Sequence, residues 1–252
     1  MAKIRVETTP DRHRIFLDVP PRNILDVAML EELRDAFGGL ADDRPLVVIE
    51  AAGEKAFSAG ASVQDHLDDR VGRMLSAFHD ALRLLYRIES VTVAKVRGAC
   101  LGGGCELALA CDFVLASDSS RFGQPEIALG VFPPVAAWQL SHQIAQRRGL
   151  ELMLAGDPID AAQAQRLGMV NAVFAAADFE AKSEEWLARI VRHSASSLRF
   201  AKRAFRLASA PDFEDRLIAV EKLYLEELMK TEDANEGLVA FVEKRKPRWR
   251  HR

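Results

Sequence analysis

Apolar and polar positions follow each other through the first part of the chain in runs that predict strands and a helix. Three runs are predicted strands, namely Ile4–Thr8, Arg14–Val19 and Leu46–Ala51. The third is almost continuously apolar, as expected of a strand buried on both faces. A helix is predicted over Asp26–Phe37, where four apolar side chains share one side: Met29, Leu30, Leu33 and Phe37. This order favours a parallel sheet with crossover helices.

The pattern continues through the middle of the chain. A long helix is predicted from Asp68 to Ile88, because its apolar residues are spaced to form one stripe. A strand over Thr92–Val96, a buried helix over Cys105–Ala110 and a strand over Phe113–Ala116 follow it. From about Trp138 onwards, helical patterns dominate. We therefore predict an α/β core followed by a helical C-terminal part.

Two helix starts are indicated in the C-terminal part. Asp160 and Gln163 have the spacing of a capping box, and Asp212 is suited to cap a later helix. On that later helix, four side chains are spaced for burial: Leu217, Val220, Tyr224 and Leu228. A basic run, residues 244–250, closes the chain.

Composition and charge exclude several classes of protein. The 252 residues suffice for one domain, or for one domain with an appendage. A formal net charge of −3 provides no broad positive field for nucleic acid. The first residues lack the apolar segment of a signal peptide, and no apolar run approaches the roughly 20 residues that span a membrane. We therefore expect a cytoplasmic protein that binds neither nucleic acid nor membrane.

Cysteine and histidine give no sign of a disulfide framework or a metal site. The three cysteines, Cys100, Cys105 and Cys111, are odd in number and include no CxxC pair. The six histidines show no HExxH or comparable spacing. We expect three small buried thiols in a reducing compartment, and no metal.

A glycine-rich segment, Gly98–Glu106, is the first candidate for chemistry. It lacks the GK[ST] ending of a phosphate-binding loop and is not GxGxxG, so a nucleotide site is disfavoured. Two interpretations remain open. The glycines can let a helix start pack tightly on a strand, or the N–H of Gly103 can meet developing negative charge as one donor of an oxyanion hole. A loop of small residues, Ala59–Ala61, could supply a second donor.

Two glutamates follow tight turns, Glu106 after the glycines and Glu126 after Phe122–Pro125. Taken singly, Glu106 could offset a helix macrodipole and Glu126 could be a surface or capping acid. Taken together, they suggest paired carboxylates in one pocket, where burial and mutual repulsion separate the two pKa values and divide the acid and base roles.

The ordered motifs resemble those of the crotonase superfamily, the enoyl-CoA hydratase/isomerase family. The resemblance runs nearly the full length and is carried by Ala56–Ala61, Val96–Glu106, Phe122–Ile127, Leu129-Gly130, Ala164–Val170 and Glu236–Pro247. It implies an α/β fold in which ββα units form a spiral, over residues 1–195. It also implies a helical region, residues 196–252, that mediates assembly into a homotrimer or a dimer of trimers.

The resemblance also implies a substrate and catalytic residues. The substrate is an acyl-CoA thioester, so that coenzyme A is part of the substrate and no separate cofactor is expected. The thioester oxygen sits between the N–H groups of Ala61 and Gly103. Glu106 activates the attacking water and Glu126 delivers a proton to carbon. Because both acids are present, hydration is favoured over Δ3-Δ2 enoyl-CoA isomerisation; an RNA-binding homologue is a more distant alternative.

Contacts with coenzyme A carry over from the family more loosely. The backbone near Ala59 and Ala61 is expected to face the adenine and pantetheine, and Arg22 to lie near the phosphates. Phe241 and Lys244 match a C-terminal pair that reaches a CoA site, commonly that of a neighbouring subunit. Lys244 is equally well explained as a solvated charge.

The chain departs from the family at two places. Pro134 stands where typical hydratases have a glycine whose N–H contacts the bound water, and proline has no N–H. The water must then be held differently, or by the glutamates alone. Ser62 replaces a frequent aspartate, and Asp65 or His66 could face the acyl group, although a solvent-exposed helix start is the simpler interpretation. These departures resemble the cyclohexa-1,5-diene-1-carbonyl-CoA hydratases of anaerobic aromatic degradation.

Overall fold

The computed structural model describes residues 2–41, 44–67, 69–209 and 213–248. Its strands are β1 (Ile4–Thr8), β2 (Arg12–Leu17), β3 (Leu46–Ala51), β4 (Ala56–Ser58), β5 (Val91–Val96), β6 (Ala99–Leu101), β7 (Phe113–Ser117), β8 (Arg121–Gly123), β9 (Ile159–Asp160) and β10 (Ala172–Phe174). Its helices are α1 (Val27–Gly38), α2 (Arg70–Arg87), α3 (Gly103–Leu109), α4 (Pro134–Gln143), α5 (Gln146–Ala155), α6 (Ala161–Leu167), α7 (Phe179–Val191), α8 (Ala195–Ser209), α9 (Phe213–Glu226) and α10 (Glu232–Val242).

The strands form two sheets. The larger has the order β1-β2-β3-β5-β7-β10 and is parallel except for the β1–β2 pair. The smaller has the order β4-β6-β8-β9, with only the β8–β9 pair antiparallel. From β3 to β8, consecutive strands alternate between the two sheets. The predicted parallel sheet with crossover helices is confirmed.

Three successive ββα units build this arrangement: β3-β4-α2, β5-β6-α3 and β7-β8-α4. In each unit the first strand joins the larger sheet, the second joins the smaller sheet, and a helix follows. Gly98 makes the sharp connection between β5 and β6 with φ of +66°, where a Cβ would lie 2.2 Å from the Lys55 carbonyl oxygen. The predicted spiral of ββα units is confirmed.

Local sequence signals account for several elements. Asp26 caps α1 by accepting a 2.9 Å hydrogen bond from the Met29 N–H, and the four apolar residues predicted for this helix are buried. Asp160 and Gln163 form the predicted capping box of α6. On α9, Leu217 and Tyr224 are buried as predicted, whereas Val220 is only half-buried. Leu228 is half-buried too and lies beyond the helix, because α9 ends at Glu226. The proposed cap Asp212 lies outside the described residues.

The structure corrects other predictions. β2 begins and ends two residues before the predicted Arg14–Val19, because it pairs with β1 from His13 to Leu17 and the chain then turns at Pro20-Pro21. β4, which contains Phe57 and Ser58 and directly precedes the loop of small residues, is a strand that the sequence did not predict. The region expected to be helical contains β9 and β10, and β10 completes the larger sheet beside β7. Strands of two or three residues are too short to show an alternating pattern.

The helices after residue 195 lie against the core through buried contacts. Lys202 and Arg206 of α8 contact the Asp112 carboxylate at 2.6 and 2.9 Å. Within the core, the three cysteines are free and buried, as predicted: Cys100, Cys105 and Cys111. The boundary at residue 195 and the trimeric assembly stay predictions. Among the helices in the described ranges, none combines the length and the apolar character needed to cross a membrane.

Candidate active site

A cavity of about 330 Å³ opens beside the smaller sheet, and it brings together segments far apart in the sequence, from Ala59 to Pro247. Its walls include Ala59 to Ala61 after β4, Gly102 and Gly103 after β6, and Glu126 after β8. The remaining wall is largely apolar and comes from α2, the segment before α4, and the C-terminal helices: Met74, Leu75, Phe78, Phe132, Pro133, Pro134, Tyr224, Gly237 and Phe241. The ends of all three small-sheet strands in the ββα units thus meet at one cavity.

The segment around Ala61 presents a backbone N–H to this cavity. Leu25 pairs with it as an isolated parallel bridge: the Leu25 N–H donates to the Gly60 carbonyl, and the Ser62 N–H donates to the Leu25 carbonyl, each at 3.0 Å. This pattern leaves the Ala61 N–H unused by the bridge. A Cβ built on Gly103 would lie 3.3 Å from the Ala61 nitrogen, so the two predicted oxyanion donors are neighbours in the cavity wall.

Gly102 allows the Glu126 carboxylate to approach the backbone closely. Its φ of +52° and ψ of −128° turn the chain from β6 into α3, a conformation that favours glycine. A Cβ at this position would lie only 2.3 Å from Glu126 Oε1. The glycine therefore serves the turn and the close approach of the carboxylate.

Glu106 is 3% exposed and lies in the first turn of α3. Its Oε1 accepts a 2.7 Å hydrogen bond from the Ala136 N–H, and the Val135 N–H also stabilises the carboxylate. The Gln139 Nε2 donates to the Glu106 carbonyl at 2.8 Å. Glu106 thus binds the first free N–H groups of α4.

Pro134 is the first residue of α4, a position at which proline is favoured because no intrahelical bond is lost. The N–H groups that follow it are directed to the carboxylate of Glu106 rather than to a free site in the cavity. With Pro134 in first place, the N–H groups of Val135 and Ala136 are the first donors of α4, and both stabilise Glu106.

Burial dominates the electrostatics of both carboxylates. It raises the pKa of Glu106, while the N–H groups of Ala136 and Val135 oppose that rise by stabilising the anion. Burial also raises the pKa of Glu126, and the nearby charge of Glu106 raises it further. The pKa values of both carboxyl groups are therefore raised, and the repulsion between the two charges favours a pair that holds one proton.

Comparison with known proteins decides the family. A family model described as enoyl-CoA hydratase/isomerase matches residues 13–252. The chain belongs to the enoyl-CoA hydratase/isomerase family. The resemblance to the crotonase superfamily is thereby confirmed. The prediction of an enzyme of the enoyl-CoA hydratase type is confirmed at the level of the family.

Named relatives of this family match over nearly the whole chain. A cyclohexa-1,5-dienecarbonyl-CoA hydratase of Thauera aromatica is 41% identical over 253 residues, which cover 99% of this chain and 97% of the relative. A probable enoyl-CoA hydratase of Mycobacterium bovis is 36% identical over 91% of this chain and 90% of its own. The crystal structure of carnitinyl-CoA hydratase from Mycobacterium avium superposes with a TM-score of 0.86 at 31% identity, covering 100% of both chains.

The CoA contacts expected from the family are brought together only in part. The Ala59 N–H donates to the Arg22 carbonyl at 2.9 Å, which places the exposed Arg22 side chain beside the loop of small residues. Phe241 lies at the cavity of its own chain. Lys244 is exposed and does not line the cavity, whereas Arg245, held by Glu236 at 2.6 and 2.8 Å, does.

Sequence reasoning gave two cavity residues no clear role. His66 is 9% exposed, lines the cavity and hydrogen-bonds through Nδ1 to the Ser62 carbonyl at 2.8 Å, which corrects the expectation of a solvent-exposed helix start. Burial lowers the pKa of His66, so that its ring is neutral. Tyr224, predicted only to be buried, also lines the cavity. No group of three or more His, Cys, Asp or Glu side chains within the described ranges is placed to bind a metal ion.

Proposed function

We propose that the chain hydrates a conjugated enoyl- or dienoyl-CoA thioester, using Glu106 and Glu126 together with a backbone oxyanion hole. The single observation that carries this proposal is the meeting of the buried Glu106 and the half-buried Glu126 with Ala61 and Gly103 in one cavity. Coenzyme A enters as part of the substrate, and no further cofactor takes part.

The proposed reaction moves two protons and one oxygen atom. The thioester oxygen accepts hydrogen bonds from the N–H groups of Ala61 and Gly103, which stabilise the negative charge that flows to it. The Glu106 carboxylate, oriented by Ala136, takes a proton from water as the water oxygen bonds to carbon. The Glu126 carboxylic acid gives its proton to the carbon that receives the electron pair. The product is the hydroxyacyl thioester.

The cyclic dienoyl thioester cyclohexa-1,5-diene-1-carbonyl-CoA is the substrate we favour. The relative from Thauera aromatica that is named for this compound matches almost the full chain. The apolar wall formed by Phe78, Phe132 and Pro133 suits a hydrocarbon ring. In such a conjugated ring, the charge still flows to the thioester oxygen, so the same oxyanion hole serves.

A substrate panel in ¹⁸O-labelled water tests this proposal. We expect turnover of cyclohexa-1,5-diene-1-carbonyl-CoA to exceed that of crotonyl-CoA and the label to appear in the product hydroxyl, as measured by mass spectrometry. Preference for crotonyl-CoA would contradict the cyclic substrate alone. A shifted double bond without label would contradict hydration and indicate an isomerase.

The pH profile tests the assignment of acid and base. Because Glu106 must be ionised, kcat/KM should rise with an apparent pKa above the ordinary glutamate value of about 4.3. It should fall again at higher pH as Glu126 loses its proton, since the pKa of Glu126 is also raised. The residual activity of Glu126→Gln should keep the rising limb and lose the falling one. Loss of the rising limb instead would reverse the two roles.

A further inference from the structure

The hydroxyl group of Tyr224 is a polar group in the cavity that the two-glutamate reaction does not use. Tyr224 lies on α9 and is 1% exposed, with its ring edge-on to Phe132 at a centroid distance of 5.3 Å. Its hydroxyl group is buried and has no hydrogen-bond partner in the described part of the chain. Since buried hydroxyl groups in proteins are generally hydrogen-bonded, this atom calls for a partner.

A second buried oxygen in the same cavity is in the same situation. Glu126 Oε2 also lacks a hydrogen-bond partner among the described residues, although Glu126 Oε1 packs against Gly102. Tyr224 lines the same cavity as Glu106 and Glu126. Burial, and then the charges of Glu126 and Glu106, raise the pKa of Tyr224, so its hydroxyl stays protonated. Tyr224 therefore presents an O–H donor to the space in front of the catalytic pair.

The start of α4 offers no free donor to the oxygen atom of the attacking water. Pro134 offers no N–H, and the N–H groups of Val135 and Ala136 are directed to Glu106. Both glutamates are occupied with proton transfer, so the oxygen atom that joins carbon has no neutral group from α4 to orient it. The Tyr224 hydroxyl lies on the wall formed by the C-terminal helices and is free to take this role.

We propose that the Tyr224 hydroxyl donates a hydrogen bond to the oxygen atom that water contributes to the product. This inference rests on the proposed hydration. The water proton passes to Glu106, the oxygen forms the C–O bond, and the proton of Glu126 goes to carbon, while Tyr224 keeps its own proton. In the product, the same hydrogen bond holds the new hydroxyl group.

Replacement of the hydroxyl alone tests the rate effect. Tyr224→Phe should lower kcat roughly tenfold, the typical loss for one hydrogen bond, with little change in KM. Its thermal midpoint should not fall, because an unpartnered buried hydroxyl is removed and the ring contact with Phe132 is kept. Tyr86→Phe is the matched control. Tyr86 is the other tyrosine of the chain; it lies on α2, where its ring packs under the Arg206 guanidinium of α8. Equal kcat values for the two variants would overturn the proposal.

A binding measurement separates this inference from the proposed function. In the Glu106→Gln background, dissociation constants are measured for the hydroxyacyl thioester and for the corresponding enoyl thioester, with and without Tyr224→Phe. We expect the substitution to weaken hydroxyacyl binding roughly tenfold and enoyl binding hardly at all. Equal weakening of both ligands would overturn the role of Tyr224 even in an active hydratase. A wild-type protein that hydrates neither substrate would refute the proposed function. The ratio of hydroxyacyl to enoyl affinity would still decide whether Tyr224 contacts the hydroxyl group of the ligand.

Discussion

Glu106→Gln should lower kcat/KM for hydration by roughly 10²- to 10⁴-fold, the range attributed to general acid–base catalysis. Glutamine has nearly the same size, and its carbonyl oxygen can still accept the Ala136 N–H that Glu106 Oε1 accepts at 2.7 Å. The start of α4 therefore keeps its partner, and only the ability to take a proton is lost. Steady-state kinetics with the preferred thioester measures the effect.

The fold of the Glu106 variant should be intact and its thermal stability equal or higher. Burial penalises the Glu106 carboxylate at neutral pH, and a neutral amide avoids that penalty. Glu126→Gln is the companion variant, and it should also lose most activity with an unchanged fold. Near-normal turnover by either variant would contradict the two-glutamate mechanism, whereas an unfolded variant would mean that the carboxylate is needed for the structure.

The main layers of the fold could be predicted because their sequence signals are local and long. The almost continuously apolar strand β3 and the apolar stripe of α1 each extend over six or more residues. The capping residues Asp26 and Asp160 also act within three positions of themselves. Local signals of this kind do not depend on the rest of the chain, so they survive in the folded protein.

The short strands and several contacts of the site could not be predicted in the same way. β9 and β10 have two and three residues and exist because β8 and β7 offer them edges. The hydrogen bond from Ala136 to Glu106 joins residues 30 apart in sequence, and Tyr224 reaches the cavity from α9. The spacing of Tyr224 along the sequence indicates that it is buried, but no sequence pattern indicates which buried hydroxyl group lacks a hydrogen-bond partner.

Pro134 shows how the two kinds of information combine. Sequence comparison with the family indicated a lost N–H, and the structure shows that the next two N–H groups stabilise the Glu106 anion. Because no residue in the described part of the chain donates to Glu126 Oε2, the two carboxylates differ in environment although they share one cavity. That difference is what separates an acid from a base in a pair of identical side chains.

Gly102→Ala should lower kcat/KM by about 10²-fold, the typical cost of misplacing a catalytic group by around 1 Å. The new Cβ would lie 2.3 Å from Glu126 Oε1, so the carboxylate must move out of its position. The φ of +52° with ψ of −128° is also unfavourable for alanine and should cost about 1–3 kcal/mol of stability. Kinetics and thermal unfolding measure the two effects separately. Gly72→Ala on α2 is the matched control, because its Cβ meets nothing within 4 Å and should leave activity unchanged.

A double-mutant cycle shows whether Gly102 acts through Glu126. If the alanine only displaces the acid, then Gly102→Ala should cost little further activity in the Glu126→Gln background, since the proton donor is already absent. If the losses multiply, the alanine must instead disturb another group, and the neighbouring N–H of Gly103 at the oxyanion hole is the group next in the chain. If Gly102→Ala lowers kcat/KM only slightly in the Glu126→Gln background, then Gly102 acts by allowing the Glu126 carboxylate to occupy its position.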